Sequence, residues 1–264
     1  MNDAAPLPSH SIGQSVQRHQ VLRQRHDVRR RRITLHSKES PTPRMLRLGF
    51  HSAELHDFTS PSPDDHVKLF FPGTDGGAAS MRDFTPRRFE RERGILVIDF
   101  ALHDGGPAND WAVSAQIGDT LEIGGPRGST VVSDDFDWYL LIGDETALPA
   151  IGRRVEELRA GVPVTTCVAI ADEGEMQSWQ SAAELTALWV TRKPSADDAS
   201  LLRAALAGQD LRSGDGFVWI AAEASVARAL RNYIIDERRH PKVWTKAAGY
   251  WKRGEPDGGE RIED

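Results

Sequence analysis

Between Asp137 and Ile170 the chain runs apolar, then amphipathic, then apolar again, and that order constrains its fold more than any other feature. Asp137–Ile142 (DWYLLI) is a continuous apolar stretch closed by Gly143. Leu148–Ala160 carries Ile151, Val155 and Leu158 on one helical face and stops at Gly161. Pro163–Ile170 (PVTTCVAI) is a second apolar stretch. Strand, helix and strand within about 35 residues form a βαβ unit, whose strands lie parallel with a right-handed crossover. Further strands are expected at Leu188–Thr191, Gly216–Ala222 and Val243–Lys246, and helices at about Asp197–Ala207 and Ser225–Arg239.

Ahead of this unit the pattern changes. Arg32–Ser37, Arg44–Phe50, His66–Phe71, Gly94–Leu102 and Thr120–Ile123 read as short strands, each bounded by Pro, Gly or Asp clusters. With almost no helix between them they predict an antiparallel barrel or sandwich. The exception is Gly106–Ala115, a short helix capped by Asn109 or Asp110 and stopped by Gly118. The acidic stretch Ser133–Asp137 separates the halves. The expected organisation is a tail over 1–24, an antiparallel β-barrel over 25–133, a parallel-sheet α/β domain over 134–245 and a C-terminal arm over 246–264.

Composition narrows the function classes. The 264 residues are 39% hydrophobic, enough for true cores, and no apolar run reaches the ~18–20 residues that span a bilayer. The N-terminus lacks the apolar core of a signal peptide, and the single cysteine, Cys167, closes no intrachain disulfide and holds no iron–sulfur cluster alone. A soluble, cytoplasmic protein is expected, with no membrane insertion. Residues 1–40 hold eight Arg and Lys against three carboxylates, a net charge of +5. The chain as a whole carries −6, which leaves −11 for the remainder. That acidic body repels phosphate backbones, so RHDVRRRR is read as a lead-in to the first strand and no nucleic-acid partner is expected.

Two segments carry candidate chemistry. In parallel α/β sheets ligands bind outside the carboxyl ends of the strands, near helix N-termini. The first such turn here, Gly143-Asp144-Glu145-Thr146-Ala147-Leu148-Pro149, is not GxGxxG; Thr146 can cap a helix, and Pro149 has no amide hydrogen to lose in its first turn. Alone, it is either a helix start or a pyrophosphate site. Arg82-Asp83-Phe84-Thr85-Pro86-Arg87 is an extended segment on which Arg82 and Phe84 share a face while Thr85 turns elsewhere. A forked cation for phosphate, an aromatic ring for a heterocycle and a hydroxyl for a ring nitrogen are parts of a flavin site. Taken alone, the same pattern is more often an edge strand with surface arginines.

The ordered segments HVKLFFP, RDFTPRRF, VIDFALHDGGPANDWAVSAQIGDTLEIGGPRGS, YLLIGDETALPAIGRRVEEL, AAEASVARALRNYI and AAGYWKRG, spanning Arg32 to Gly254, resemble the siderophore-interacting protein family. These are flavin-dependent ferric-siderophore reductases of the ferredoxin-reductase-like superfamily. The resemblance implies a FAD-binding barrel, an α/β domain that binds NADH or NADPH, and reduction of siderophore-bound ferric iron. A ferredoxin is the alternative electron donor. By motif, Arg82, Phe84, Thr85 and Arg87 stand where the family's R-x-Y-T-x-R grips FAD, with Phe84 in place of Tyr. His103, Gly106, Pro107, Ala108 and Trp111 match H-x-x-G-P-A-x-x-W, on the pyrophosphate and adenine side. Asp144, Glu145, Thr146 and Ala147 are implied at the flavin edge and the NAD(P)H phosphates, Glu223 near the nicotinamide nucleotide, and Tyr250 and Trp251 closing toward the flavin.

Hydride transfer from NAD(P)H to flavin, then single electrons to iron, needs no acid or base from the protein. Thr85, implied near flavin N5, is the residue expected to tune the chemistry. No metal site of the protein's own is expected. Ferric siderophores are often anionic, so Arg127, Lys246, Lys252 and Arg253, with Arg44 behind them, are expected to form a basic mouth. Arg192 and Lys193 follow a strand, in position to meet a 2′-phosphate. Two rival functions remain open at this point: a siderophore-binding or iron-handling module without flavin, and a flavin- or ferredoxin-linked oxidoreductase with another acceptor.

Overall fold

In the computed structural model, residues 18–73, 79–103, 105–193, 196–255 and 260–262 are described. Alternation organises the first half. In β2 (Arg30–Thr42), Arg31, Ile33 and Leu35 are buried while Arg30 and Arg32 point outward, as the period of two requires. Arg31 tolerates burial because Asp57 lies 2.7 Å from its Nη2. With β3 (Met45–His51), β4 (Val67–Phe71), β5 (Ser80–Phe84), β6 (Pro86–Glu90), β7 (Ile95–Ala101) and β8 (Thr120–Gly124), β2 forms an antiparallel sheet in the order β5-β4-β8-β2-β3-β7-β6. Ile33, Leu48, Phe50, Leu69, Phe71, Ile98 and Phe100 fill its concave side, and Ala112 of α1 (Pro107–Ser114) packs against them.

The two edge strands, β5 and β6, are separated in sequence by one residue, Thr85. The sheet must therefore curl until its edges meet there, which is the expected barrel. Pro86, lacking an amide hydrogen, starts β6 at that edge, where no ladder bond is lost.

β1 (Val21–Arg25) pairs with β9 (Gly128–Val132) as a separate antiparallel ribbon. The second half is a parallel sheet in the order β12-β11-β10-β13-β14, comprising β10 (Trp138–Gly143), β11 (Pro163–Ile170), β12 (Glu184–Thr191), β13 (Gly216–Glu223) and β14 (Thr245–Trp251); β15 (Glu260–Arg261) adds antiparallel to β14. Helix α2 (Leu148–Glu157) packs on the face turned toward β6, while α3 (Asp198–Ala207) and α4 (Ala224–Asn232) cover the other. Strand order reverses between β10 and β13, so the switch point lies at Gly143 and Glu223. Cys167 is buried in β11, where burial pushes its thiol up to about 12 and leaves it inert.

Several expectations are corrected. The cap of α1 is Gly106, at φ 101°, rather than Asn109 or Asp110, because Pro107 presets the first helical turn. Residues 21–24, assigned to the tail, belong to strand β1, and residues 1–17 lie outside the described residues. Residues 246–251, read as the start of an arm, belong to the fifth parallel strand. The helix expected to reach Arg239 ends as α-helix at Asn232 and continues as a π-turn over Tyr233–Glu237.

The halves are joined firmly. Met45 and Val132 belong to one apolar cluster with Phe136, Ile151 and Tyr139. Arg153 of α2 donates to the Ser60 carbonyl at 2.5 Å and the Pro86 carbonyl at 3.1 Å. Thr42 Oγ1 donates to Glu175 at 2.6 Å.

Candidate functional site

A cleft of ~2590 Å³ runs between the barrel and the carboxyl ends of the parallel strands. Single small-molecule pockets occupy roughly 300–1,000 Å³, so this one has room for a dinucleotide and a second ligand. Its barrel wall is β5, where Ser80, Arg82 and Phe84 are half-buried and Met81 and Asp83 exposed. Arg82 and Phe84 thus share a face, as alternation predicts. The Phe84 ring rests on Phe100 at 4.3 Å and lines the cleft as well. Ser80 Oγ is buried without a hydrogen-bond partner among the described residues. Beyond it, α1 opens on the cleft: amides of its first turn have no intrahelical acceptor. The left-handed Gly106 before it brings the chain past His103, whose Cε1 lies 3.6 Å from where a Cβ would sit.

The opposite wall is built around Asp144, at the end of β10. Its Oδ1 accepts from the Thr146 amide at 2.9 Å and the Thr146 hydroxyl at 2.5 Å. Its Oδ2 accepts from the Glu223 amide at 3.1 Å and Trp251 Nε1 at 2.9 Å. One carboxylate therefore ties together the ends of β10, β13 and β14. Burial pushes this carboxyl above the ordinary aspartate range, and the bonds from Thr146 and Trp251 pull against that. Gly143 permits the packing: a Cβ there would lie 2.5 Å from Ala147 Cβ and 2.6 Å from the Ala221 carbonyl oxygen. Glu223 caps α4, accepting from the Ser225 amide at 2.7 Å.

Between the walls, Thr85 and Tyr250 both line the cleft, with the Thr85 side chain close enough to act on the Tyr250 phenol. Burial, with Asp64 nearby, drives the Tyr250 phenol well above its usual range, so it stays neutral. Lys246 Nζ lies 2.5 Å from Asp64 Oδ2, which also accepts from Trp219 Nε1 at 3.1 Å. Burial alone would raise the Asp64 carboxyl, but Lys246 and these donors hold it below the ordinary range.

Most expected site residues meet at this cleft: Arg82, Phe84, Thr85, His103, Gly106, Pro107 and Ala108 on the barrel side, and Asp144, Glu145, Thr146, Glu223, Lys246, Tyr250, Trp251, Lys252 and Arg253 opposite. Four do not line it. Arg87 turns to α2, where its two terminal nitrogens lie 2.7 Å from the Glu156 carboxylate; it fastens the halves together. Trp111 stacks on Phe50 at 6.2 Å and belongs to the barrel core. Ala147 is fully buried under Gly143. Arg127 is exposed on the turn between β8 and β9 and does not itself line the cleft, although Gly128 beside it does.

The basic mouth is also weaker than expected. Lys246 is compensated by Asp64, and Lys252 Nζ lies 2.5 Å from Glu255. Arg44 and Arg253 line the cleft with no carboxylate in ion-pair distance among the described residues. Sequence reasoning missed Asp64 and Ser80, whose roles come from contacts with β14 and from burial that no local spacing signals.

Comparison with known proteins agrees with this geometry. Residues 136–254 match the siderophore-interacting protein family, and residues 34–80 and 74–130 match the siderophore-interacting FAD-binding domain. The NADPH-dependent ferric-chelate reductase of Escherichia coli K12 is 33% identical over 249 residues, covering 87% of this chain and 95% of that protein. The ferric vibriobactin reductase of Vibrio cholerae is 25% identical, over 82% of this chain and 87% of the relative. The crystal structure of a siderophore utilization protein from T. fusca superposes with a TM-score of 0.83 at 31% identity, covering 92% of this chain and 99% of that one.

Proposed function

The chain belongs to the siderophore-interacting protein family, and we propose that it is a FAD-dependent ferric-siderophore reductase drawing electrons from NAD(P)H. The observation that carries this reading is the cleft itself. The joint of the barrel at Thr85 and the switch point of a parallel sheet both open on it, with Tyr250 lining it as well.

The residues present fit FAD. Arg82 offers a guanidinium for phosphate, and α1 offers its first-turn amides behind a left-handed glycine. Ser80 Oγ is a buried hydroxyl lacking a partner among the described residues, which a ligand group would satisfy. Phe84 supplies an aromatic face without a polar tip, and Thr85 offers a hydroxyl at the joint itself. When bound, flavin supplies the conversion of a two-electron hydride donor into single electrons. The protein's part is positional. Asp144 fixes the Thr146 turn and Trp251 on the side where a nicotinamide nucleotide enters, and no side chain is required to carry a proton.

The substrate is ferric iron held by hard, mostly anionic oxygens, which bind ferrous iron far less strongly, so one electron loosens the complex. Arg44 and Arg253 give an anionic chelate two positive charges at the cleft that no carboxylate among the described residues pairs. No helix among the described residues is long and apolar enough to cross a membrane, and the cytoplasm, where NAD(P)H is regenerated, is the compartment this reaction requires.

The test is anaerobic. FAD-loaded protein is mixed with NADH or NADPH and a ferric siderophore in the presence of a ferrous-specific chelator. The expected result is ferrous chelate formed only when protein, nucleotide and siderophore are all present. Rapid reduction of added free flavin with no ferrous product would instead assign the protein a different acceptor.

A further inference from the structure

We infer that this site selects NADH over NADPH, through the carboxylate clamp that Glu145 and Asp198 close on Arg192. The inference rests on the nicotinamide-dependent reading above and specifies its electron donor. From the switch point the cleft passes Asp144, Glu145 and Thr146 at the end of β10, then Ala171 beyond β11, and reaches Arg192 just past β12. Two strand spacings, ~10 Å, separate its ends. A dinucleotide with its pyrophosphate at the switch point therefore lays its adenosine half over Arg192.

An arginine at that place ordinarily receives a 2′-phosphate. Here its donors are already committed. Nε lies 2.8 and 3.0 Å from the two Asp198 oxygens, Nη2 lies 2.8 Å from Asp198 Oδ2, and Nη1 is bonded to Glu145 Oε1. A third carboxylate, Asp197, lines the same end of the cleft and caps α3 through the Ser200 amide at 2.9 Å. Against these three carboxylates stand Arg192 and, following it, the exposed Lys193, so the region keeps a net negative charge. A 2′-phosphate, itself carrying about −1.5 to −2, would have to break both pairs and then lie beside the carboxylates it displaced. A 2′-hydroxyl has the opposite preference, because it can donate to a carboxylate.

The experiment is calorimetric titration of the FAD-loaded full chain with two fragments, 5′-AMP and its 2′-phosphorylated analogue 2′,5′-ADP, and then with NAD+ and NADP+. The expected result is binding about tenfold or more tighter for the forms lacking the 2′-phosphate, with the gap shrinking as salt rises. In Glu145→Gln/Asp198→Asn, whose folding is checked by circular dichroism, the gap narrows or reverses because Arg192 is released. Each single substitution gives an intermediate ratio. Equal or tighter binding of the 2′-phosphorylated forms to the natural protein overturns the proposal, as does a ratio unchanged in the double variant. Binding of neither fragment overturns the adenosine subsite. Because these are binding measurements, they fail or succeed independently of ferrous production, which tests the reductase reading.

Discussion

Replacing Asp144 with asparagine isolates the role of the carboxylate at the switch point. All four of its partners are donors: the Thr146 amide and hydroxyl on one oxygen, the Glu223 amide and Trp251 Nε1 on the other. An asparagine of the same shape has one acceptor oxygen, so in either orientation its amide nitrogen faces two donors. Each stranded buried donor costs about 1–3 kcal/mol. Trp251 is only half-buried and can regain water, which places the total at ~2–4 kcal/mol. For a chain of this size that corresponds to a fall in Tm of about 5–15 °C. The assay is thermal unfolding of Asp144→Asn, Trp251→Phe and the double variant. Trp251→Phe removes a single donor and should cost ~1 kcal/mol, and the two sites should couple by a similar amount. An Asp144→Asn protein melting with the natural one would mean that the carboxyl is neutral in the folded state, and the account of the switch point would be wrong.

Other outcomes follow from the same geometry. Arg87→Ala should lower stability by ~2–3 kcal/mol, at the lower edge for a broken buried pair because Glu156 can be resolvated, while FAD affinity holds within about twofold; loss of FAD matching that of Arg82→Ala would place Arg87 in the cofactor site after all. Gly143→Ala forces a Cβ to within 2.6 Å of the Ala221 carbonyl oxygen and should cost at least ~1–3 kcal/mol by overpacking, read as a lower urea midpoint at unchanged slope. At the N-terminal ribbon, burial works to raise the Asp135 carboxyl, but the His19 amide, the Ser133 side chain and the His19 ring together bring it down to about 2 from an ordinary value of 3.8. Its contribution is therefore complete above 3.8 and lost as pH falls through about 2. The fluorescence of Trp244, whose ring lies 5.2 Å from His19, should change with a midpoint near the lower value, and a midpoint near 4 would contradict the contact.

Legibility varied along the chain for physical reasons. Pro163–Ile170 was read to the residue because a strand buried on both faces is a continuous apolar run between turn residues. β5 and β6 were read as one extended segment, since nothing local says that the strands on either side of Thr85 lie at opposite sheet edges. β1 escaped because all five of its side chains are exposed, leaving no alternation to see. At the site, Arg82 and Phe84 were legible from the period of two. Arg87 was misplaced because its motif position says nothing of Glu156, 69 residues away on α2. Lys246 looked like a free cation for the same reason: Asp64, its partner, comes from a barrel loop far upstream. Charge compensation is a long-range property, and sequence shows only the charges.

The central claim is that the cleft between Thr85 and the switch point is a flavin site, and the most direct measurement is titration of the flavin-stripped chain with FAD, followed by quenching of flavin fluorescence. The account predicts saturation at one FAD per chain, weakened in Arg82→Ala and Thr85→Ala but retained in Arg87→Ala. Absence of saturable binding, or binding indifferent to Arg82 and Thr85, would contradict it.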